Sequence, residues 1–298
     1  MTGGRDPAGA PGAAGRTAAR VAALTGEPVP AAEPLGGGDV CDAYRVAGEA
    51  GRTYAAKTLP APPPGFFEAE AAGLRMLRET GTVAVPEVRA VQQDLLVLEW
   101  AEPGAPTAAQ AERLGRELAA LHTAPAPAFG TPGRRCYLGT VELPAPDRPP
   151  AGWPAFHAEH RLLPLLRAAV DAGTLGPGDA RDVERVCAEL DRLAGPPQPP
   201  AVIHGDLWSG NVLWGRERPW LIDPAAQGGH PETDLALLEL FGCPHLDRLL
   251  AAYAEVRPLP GRAGRVPLHQ LQHLLVHAVL FGGGYGARCG AAARAALR

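Results

Sequence analysis

The run Val202-Ile203-His204-Gly205-Asp206-Leu207-Trp208-Ser209-Gly210-Asn211 sets an Asp five residues ahead of an Asn. Twelve residues beyond that Asn, a second Asp closes an apolar run, Leu221-Ile222-Asp223-Pro224. Metal-assisted phosphoryl transfer needs this set of groups. One carboxylate accepts or orients the proton of an attacking hydroxyl, while an amide oxygen and a second carboxylate hold Mg²⁺ on the nucleotide phosphates. Asn suits the metal position because it offers an oxygen without adding a negative charge. Asp206 is therefore the candidate catalytic acceptor, and Asn211 and Asp223 are the candidate Mg²⁺ ligands. H-G-D-x-x-x-x-N alone would also fit a plain turn; Asp223, at the right distance after an apolar strand, is what favours chemistry.

Composition singles out the same stretch. Of 28 basic residues 27 are Arg, and the one Lys is Lys57. The one Asn and the one Ser, Asn211 and Ser209, both fall within His204–Asn211, and the two Ile are Ile203 and Ile222. Lys and Ser are ordinarily among the commonest residues. Positions that escape the drift toward Ala, Gly, Pro and Arg are candidates for chemistry those residues cannot perform. Lys57 ends a strand-like run, Tyr54-Ala55-Ala56-Lys57, where a cation can reach the α/β-phosphates and an acid on the next helix would hold it. Glu68 and Glu70 are the candidates for that acid. Glu70 is favoured, because its i+4 and i+7 neighbours Leu74 and Leu77 are apolar and turn it inward.

Gly36-Gly37-Gly38 lies between two expected strands, where glycines let backbone N–H groups approach phosphates closely. It is neither a Walker A motif nor a full G-x-G-x-x-G, and by itself it would read as a hairpin. His269, His273 and His277 repeat at i, i+4, i+8; a metal site is conceivable, but with no supporting carboxylate an ordinary helix face is the better reading. Gly282-Gly283-Gly284 follows that helix and reads as its C-terminal cap. Asp234, near the start of a helix, fits N-terminal stabilisation.

The elements that must position these groups fall into two regions. Residues 1–20 are Gly/Ala/Pro-rich and read as a disordered tail, overlapped at its end by a short helix over 17–24. Strands are expected at 32–35, 40–46, 53–59, 85–91 and 95–100, with a helix from Phe66. Beyond Glu102-Pro103-Gly104 the pattern turns helical. Thr107 and Gln110 make a capping box for a helix carrying Leu114, Leu118 and Leu121. Further helices are expected at 153–171, 178–194, 231–241, 245–255 and 267–281, with short strands at 201–204 and 220–223. The fold class is α+β, with a small β-rich region at 21–101 and a larger, mainly helical one at 102–298.

The 298 residues, 46% hydrophobic and 20% charged, are those of a globular protein that needs no staples for its core. A net charge of −4 gives no basic footprint for nucleic acid or anionic membrane. No apolar run reaches the ~18–20 residues of a membrane span, and the N-terminus lacks the apolar core of a secretory signal. A cytoplasmic monomer is expected. The five cysteines lie far apart, matching neither a disulfide framework nor a zinc site.

These motifs together resemble the fructosamine kinase (ketosamine-3-kinase) family, within the aminoglycoside phosphotransferase and protein-kinase-like fold. The match rests on Gly36–Asp39, Phe67–Ala71, Val85–Val88, Leu96–Trp100, His204–Asn211, Ile222–Ala225, Gly229–Ala236, Glu239–Gly242 and Phe281–Tyr285. The resemblance implies a bilobal fold and ATP- and Mg²⁺-dependent phosphorylation of the 3-hydroxyl of a small-molecule or protein-bound ketosamine. The 3-phosphate then eliminates, freeing the amine. By position, Asp206 is the catalytic acceptor, Asn211 and Asp223 bind Mg²⁺, and Lys57 with Glu70 positions phosphates. The backbone of Glu99, Trp100 and Ala101 receives adenine. His204 and Asp234 brace the catalytic loop, and Trp208 stacks on the sugar. Two alternatives stand beside this reading: a phosphotransferase for another small alcohol or an aminoglycoside, and a nucleotide-binding pseudokinase. The sequence departs from protein kinases at Gly205, where they carry Arg, and at Pro224, where they carry Phe, so a phosphorylation-switched loop is not expected. Asp39 occupies the place of a redox-sensitive cysteine found in some relatives, which argues against redox control there.

Overall fold

The computed structural model describes residues 12–36 and 40–298. They form two compact units: residues up to Glu68 with Glu87–Trp100, and Ala69–Pro86 with Ala101–Arg298. The first is built on period-two alternation. It contains α1 (Ala13–Thr25), β1 (Ala31–Leu35), β2 (Asp42–Ala47), β3 (Thr53–Thr58), the start of α2 (Phe66–Glu79), β4 (Val88–Gln92) and β5 (Leu95–Glu99). The strands make one antiparallel sheet in the order β1-β2-β3-β5-β4. Alternate residues Tyr44, Val46, Tyr54, Ala56, Leu95 and Val97 face α1, where Ala18 and Val21 meet them in an apolar core.

The helix expected over 17–24 starts at Ala13, inside the stretch read as a disordered tail, and ends on Gly26 in the left-handed conformation. Ala-rich sequence is intrinsically helical, and the sheet supplies the burial that an isolated helix lacks. Arg20 ties the helix to the β4–β5 turn through Asp94 (2.5 and 2.9 Å), a bond that holds the Asp94 carboxyl below its ordinary value. Among the described residues of this unit, one carboxylate is buried. Glu27 accepts the Tyr54 hydroxyl at 2.7 Å and the Ala50 N–H at 2.8 Å, and the Tyr54 bond, with these others, keeps its pKa low despite burial.

Residues 69–86, expected with the sheet, pack instead with the second unit: Leu221 N–H donates to Ala84 C=O at 2.8 Å and Arg134 reaches Met76 Sδ. The strand expected from Val85 begins only at Val88, because Pro86 has no N–H for a ladder.

The second unit continues with α3 (Ala108–Leu121), β6 (Tyr137–Leu138), β7 (Val141–Glu142), α4 (Trp153–His157), a π-helical turn over Ala158–Leu162, α5 (Leu163–Asp171), α6 (Pro177–Ala188) and α7 (Leu190–Leu193). It closes with β8 (Ala201–Ile203), β9 (Val212–Trp214), β10 (Pro219–Leu221), β11 (Gln227–Gly229), α8 (Pro231–Phe241), α9 (Leu246–Val256), α10 (Arg262–Phe281) and α11 (Tyr285–Ala296). Its core joins apolar faces of α4, α5, α6, α10 and α11, among them Leu162, Leu165, Val183, Leu271, Leu275 and Cys289. Thr107 caps α3 by accepting the Gln110 N–H at 3.2 Å, but the capping box is only half made, since the Gln110 side chain donates to Gly215 C=O at 2.7 Å. No helix among the described residues is long and apolar enough to cross a membrane.

Candidate active site

Two small antiparallel strand pairs place the catalytic-loop residues. In the first, β8 pairs antiparallel with β11, aligning Ile203 with Gln227; in the second, β9 pairs with β10. A 3₁₀ turn over Ser209–Asn211 and the bond from Ile222 N–H to Asn211 C=O (3.1 Å) set Asn211 beside the strand that leads into Asp223. Asn211 Nδ2 donates to Asp206 C=O at 2.8 Å and lies 3.3 Å from Asp206 Oδ2 and 3.5 Å from Asp223 C=O. The residues expected to carry the chemistry are thus joined through one amide.

The loop is braced from below by Asp234 on α8. Its carboxylate accepts the N–H of His204 (2.7 Å), the N–H of Gly205 (2.9 Å) and His122 Nε2 (3.1 Å), and His122 Nδ1 meets the Tyr253 hydroxyl at 2.9 Å. Burial works against the Asp234 charge, yet the His122 bond and the Gly205 N–H bring its pKa below the ordinary carboxylate value. Asp234 therefore does more than stabilise its own helix. His204 spans the loop: Nδ1 accepts the Asp206 N–H at 3.2 Å, and Nε2 donates to Ile222 C=O at 2.9 Å. Burial lowers its pKa, so the ring is neutral, with one acceptor and one donor.

Gly205 adopts φ +83°, and a Cβ there would fall 2.3 Å from the Ala225 carbonyl oxygen. This explains why no Arg occupies the position. Asp223 is also left-handed, at φ 55°, a strained state for a non-glycine residue, the more so ahead of proline. The side chain of Asp206 is 24% exposed. Burial first, then the charges of Asp223 and Asp234, push its pKa up to about 7 against the opposing Asn211 bond, in the range of a general base at neutral pH.

Trp208 is 37% exposed. Its indole lies over Gly210, where an added Cβ would be 2.2 Å from the ring. It meets Phe241 edge-on (6.1 Å between centroids), and the aromatic surface continues through His277, Phe281 and Tyr285.

The remaining candidates lie on other elements of the chain. Lys57 sits in β3, paired with Ala43 and Leu96, and Glu70 is buried on α2. Glu99 ends β5, its N–H on Glu87 C=O; Trp100 stacks with Arg45 at 5.6 Å; Ala101 is buried. Gly36 follows β1, while Gly37, Gly38 and Asp39 lie outside the described residues.

The three histidines of α10 serve three different neighbours. His269 meets Thr233 Oγ1 (3.1 Å), His273 Nε2 donates to Gly205 C=O (3.0 Å), and His277 Nδ1 donates to His273 C=O (2.8 Å). His230, Glu232 and His269 do bring ligand-type atoms within 4.8 Å of one another. That cluster is a hydrogen-bonded support for α8: His230 Nδ1 accepts the Glu232 N–H at 3.2 Å, which puts the proton on Nε2, and Arg265 pairs with the Glu232 carboxylate (2.5 and 3.0 Å). Sequence reasoning missed His122, Tyr253 and His273 as supports. The only available signal was a polar residue recurring on an otherwise apolar helix face.

The α+β architecture is that of the kinase-like phosphotransferase fold. A macrolide 2'-phosphotransferase from Brachybacterium faecium shares the fold, with a TM-score of 0.57 and 19% identity over 93% of this chain and 95% of its own. The fructosamine kinase profile matches residues 15–298. A probable ketoamine kinase from Thermus thermophilus is 42% identical over 85% of this chain and 88% of its own. The crystal structure of a Thermobifida fusca protein assigned as a fructosamine-3-kinase superposes with a TM-score of 0.88 at 48% identity, covering 94% of this chain and 98% of that one. The chain belongs to the fructosamine kinase family, whose members transfer a phosphoryl group to a hydroxyl acceptor.

Proposed function

We propose that the protein transfers the γ-phosphoryl group of ATP to the 3-hydroxyl of a ketosamine, free or protein-bound. The observation that carries this reading is Asp206. It is fixed by Asn211 and His204, raised to a pKa of about 7 and set two residues from an exposed indole. The hydroxyl proton passes to the Asp206 carboxylate as the hydroxyl oxygen bonds to the γ-phosphorus and the bond to ADP breaks. The sugar-derived carbons lie against Trp208 and the aromatic surface that runs through Phe241. The 3-phosphate is then a leaving group: enolisation expels it as inorganic phosphate, and water hydrolyses the resulting imine to a dicarbonyl sugar and the free amine; those later steps need nothing from this chain.

The donor set fits a divalent cation. Asn211 uses its amide nitrogen within the loop, its oxygen and the Asp223 carboxylate are hard ligands, and Asp223 already disfavours charge on Asp206. Asn211 and Asp223 would hold Mg²⁺, which neutralises phosphate charge when bound. Lys57 and Glu70 position the phosphates together with Gly36–Gly38, and the Glu99–Ala101 backbone receives adenine. These assignments follow from their places in the family's motifs.

The test is an acceptor panel with ATP: fructoselysine and ribuloselysine against aminoglycosides and choline, with the phosphorylated position read by NMR. Turnover of a ketosamine at its 3-hydroxyl is the expected result. Turnover confined to aminoglycosides or choline would overturn the proposal.

A further inference from the structure

The catalytic loop is held from a second side, by a residue that no family motif quoted above contains. His273 lies on α10 and is 1% exposed. Its Nε2 is 3.0 Å from the Gly205 carbonyl oxygen and 3.7 Å from Asp206 Oδ1. A carbonyl oxygen only accepts, so the ring proton is on Nε2 and Nδ1 carries a lone pair. That Nδ1 is sealed from water and has no hydrogen-bond partner. An apolar ring of the same shape would remove that unsatisfied acceptor but leave the buried Gly205 carbonyl without its donor. Stability alone therefore does not decide in favour of either ring.

Its placement supplies another reason. The peptide joining Gly205 to Asp206 is gripped at both ends: His273 donates to its oxygen, and its N–H donates to His204 Nδ1 at 3.2 Å. The preceding peptide is fixed by Asp234 through the Gly205 N–H. Gly205 itself is in the left-handed region and has no side chain to restrain it. Without the His273 bond, the peptide that carries Asp206 loses the anchor on its carbonyl. At 3.7 Å the same N–H is too far from Oδ1 to hydrogen-bond it, so His273 fixes the direction of the carboxylate without neutralising it. Asn211 approaches Oδ2, which leaves Oδ1 as the oxygen with fewer protein donors.

We infer that His273 is a positioning residue for phosphoryl transfer, holding the Gly205–Asp206 peptide so that Asp206 Oδ1 meets the acceptor hydroxyl. The inference rests on Asp206 acting as proposed above.

The experiment compares wild type, Asp206→Asn, His273→Phe and His273→Gln in ketosamine turnover. Phe keeps the ring and removes the donor, while the Gln amide nitrogen reaches about as far as Nε2. His273→Phe is expected to lower kcat by about 10- to 100-fold, with the KM for ATP within about twofold of wild type. His273→Gln is expected to return kcat to within about fivefold of wild type. Two results would overturn the inference: a His273→Phe enzyme within about twofold of wild-type kcat, or a Gln variant as impaired as Phe. If the Phe variant loses nucleotide affinity, His273→Leu replaces it under the same criteria. Wild-type turnover that survives Asp206→Asn would sink the reading of the site itself, a failure separate from that of His273.

Discussion

The sheet unit and the catalytic loop solve different problems of burial. The sheet is closed by apolar alternation, with Val46, Ala56, Leu95 and Val97 all but sealed from solvent and one carboxylate, Glu27, tied to a tyrosine. The loop is closed by polar groups: His122, His204, Asp234 and His273 are each no more than 1% exposed. Apolar packing is non-directional and roughly proportional to area, whereas hydrogen-bonded burial demands partners with the right polarity and angle. Shape-conserving changes should therefore be mild in the sheet and severe in the loop.

The contrast can be pressed hardest at Asp206. Asp206→Ala should lower kcat by about 10³-fold with nucleotide affinity held, since the group acts on the proton of the acceptor; unchanged turnover would place the base elsewhere. Next comes Asp234→Asn, isosteric but with one acceptor fewer for three donors. It should cost on the order of 3 kcal/mol in urea unfolding and at least about tenfold in kcat. The pH dependence has a definite sign. A carboxyl whose native pKa is depressed stabilises the fold above its unfolded value, about 4, and that contribution fades as pH falls toward the native pKa. Wild type should thus lose more stability than Asp234→Asn between pH 6 and pH 3, as read by parallel melts. In the sheet, Leu95→Ala should cost about 2–5 kcal/mol while kcat per folded molecule stays near wild type, and a large fall in kcat would blur the division. The smallest effect is Tyr54→Phe, which keeps the ring and leaves Glu27 the Ala50 N–H. It should cost about 1 kcal/mol in chemical denaturation.

How much of this was legible in the sequence follows the same division. Sheet strands and amphipathic helices declare themselves through period, so β3, β5, α2 and α8 lie close to where the pattern puts them. α10 begins at Arg262 and not at 267, because Pro267 looks like a helix start but is carried inside the first turns. α11 was invisible: Tyr285–Ala296 is mostly Gly and Ala, with no apolar stripe to count. The clustering of Asp206, Asn211 and Asp223 was legible because local spacing carries it. Its supports were not. His122 meets Asp234 across 112 positions and His273 meets Gly205 across 68, and no local pattern encodes such a pairing. The packing of 69–86 with the second unit was hidden for the same reason.

The backbone at Asp223 has an evolutionary corollary. Glycine, which occupies this region without steric penalty, would relax the chain there and erase the carboxylate in one substitution. Asp223→Gly should melt no lower than wild type while losing turnover, which calorimetry beside a turnover assay would show. Decay into an inert relative would then be thermodynamically downhill at this codon, and only continued demand for the reaction would hold the acid in place.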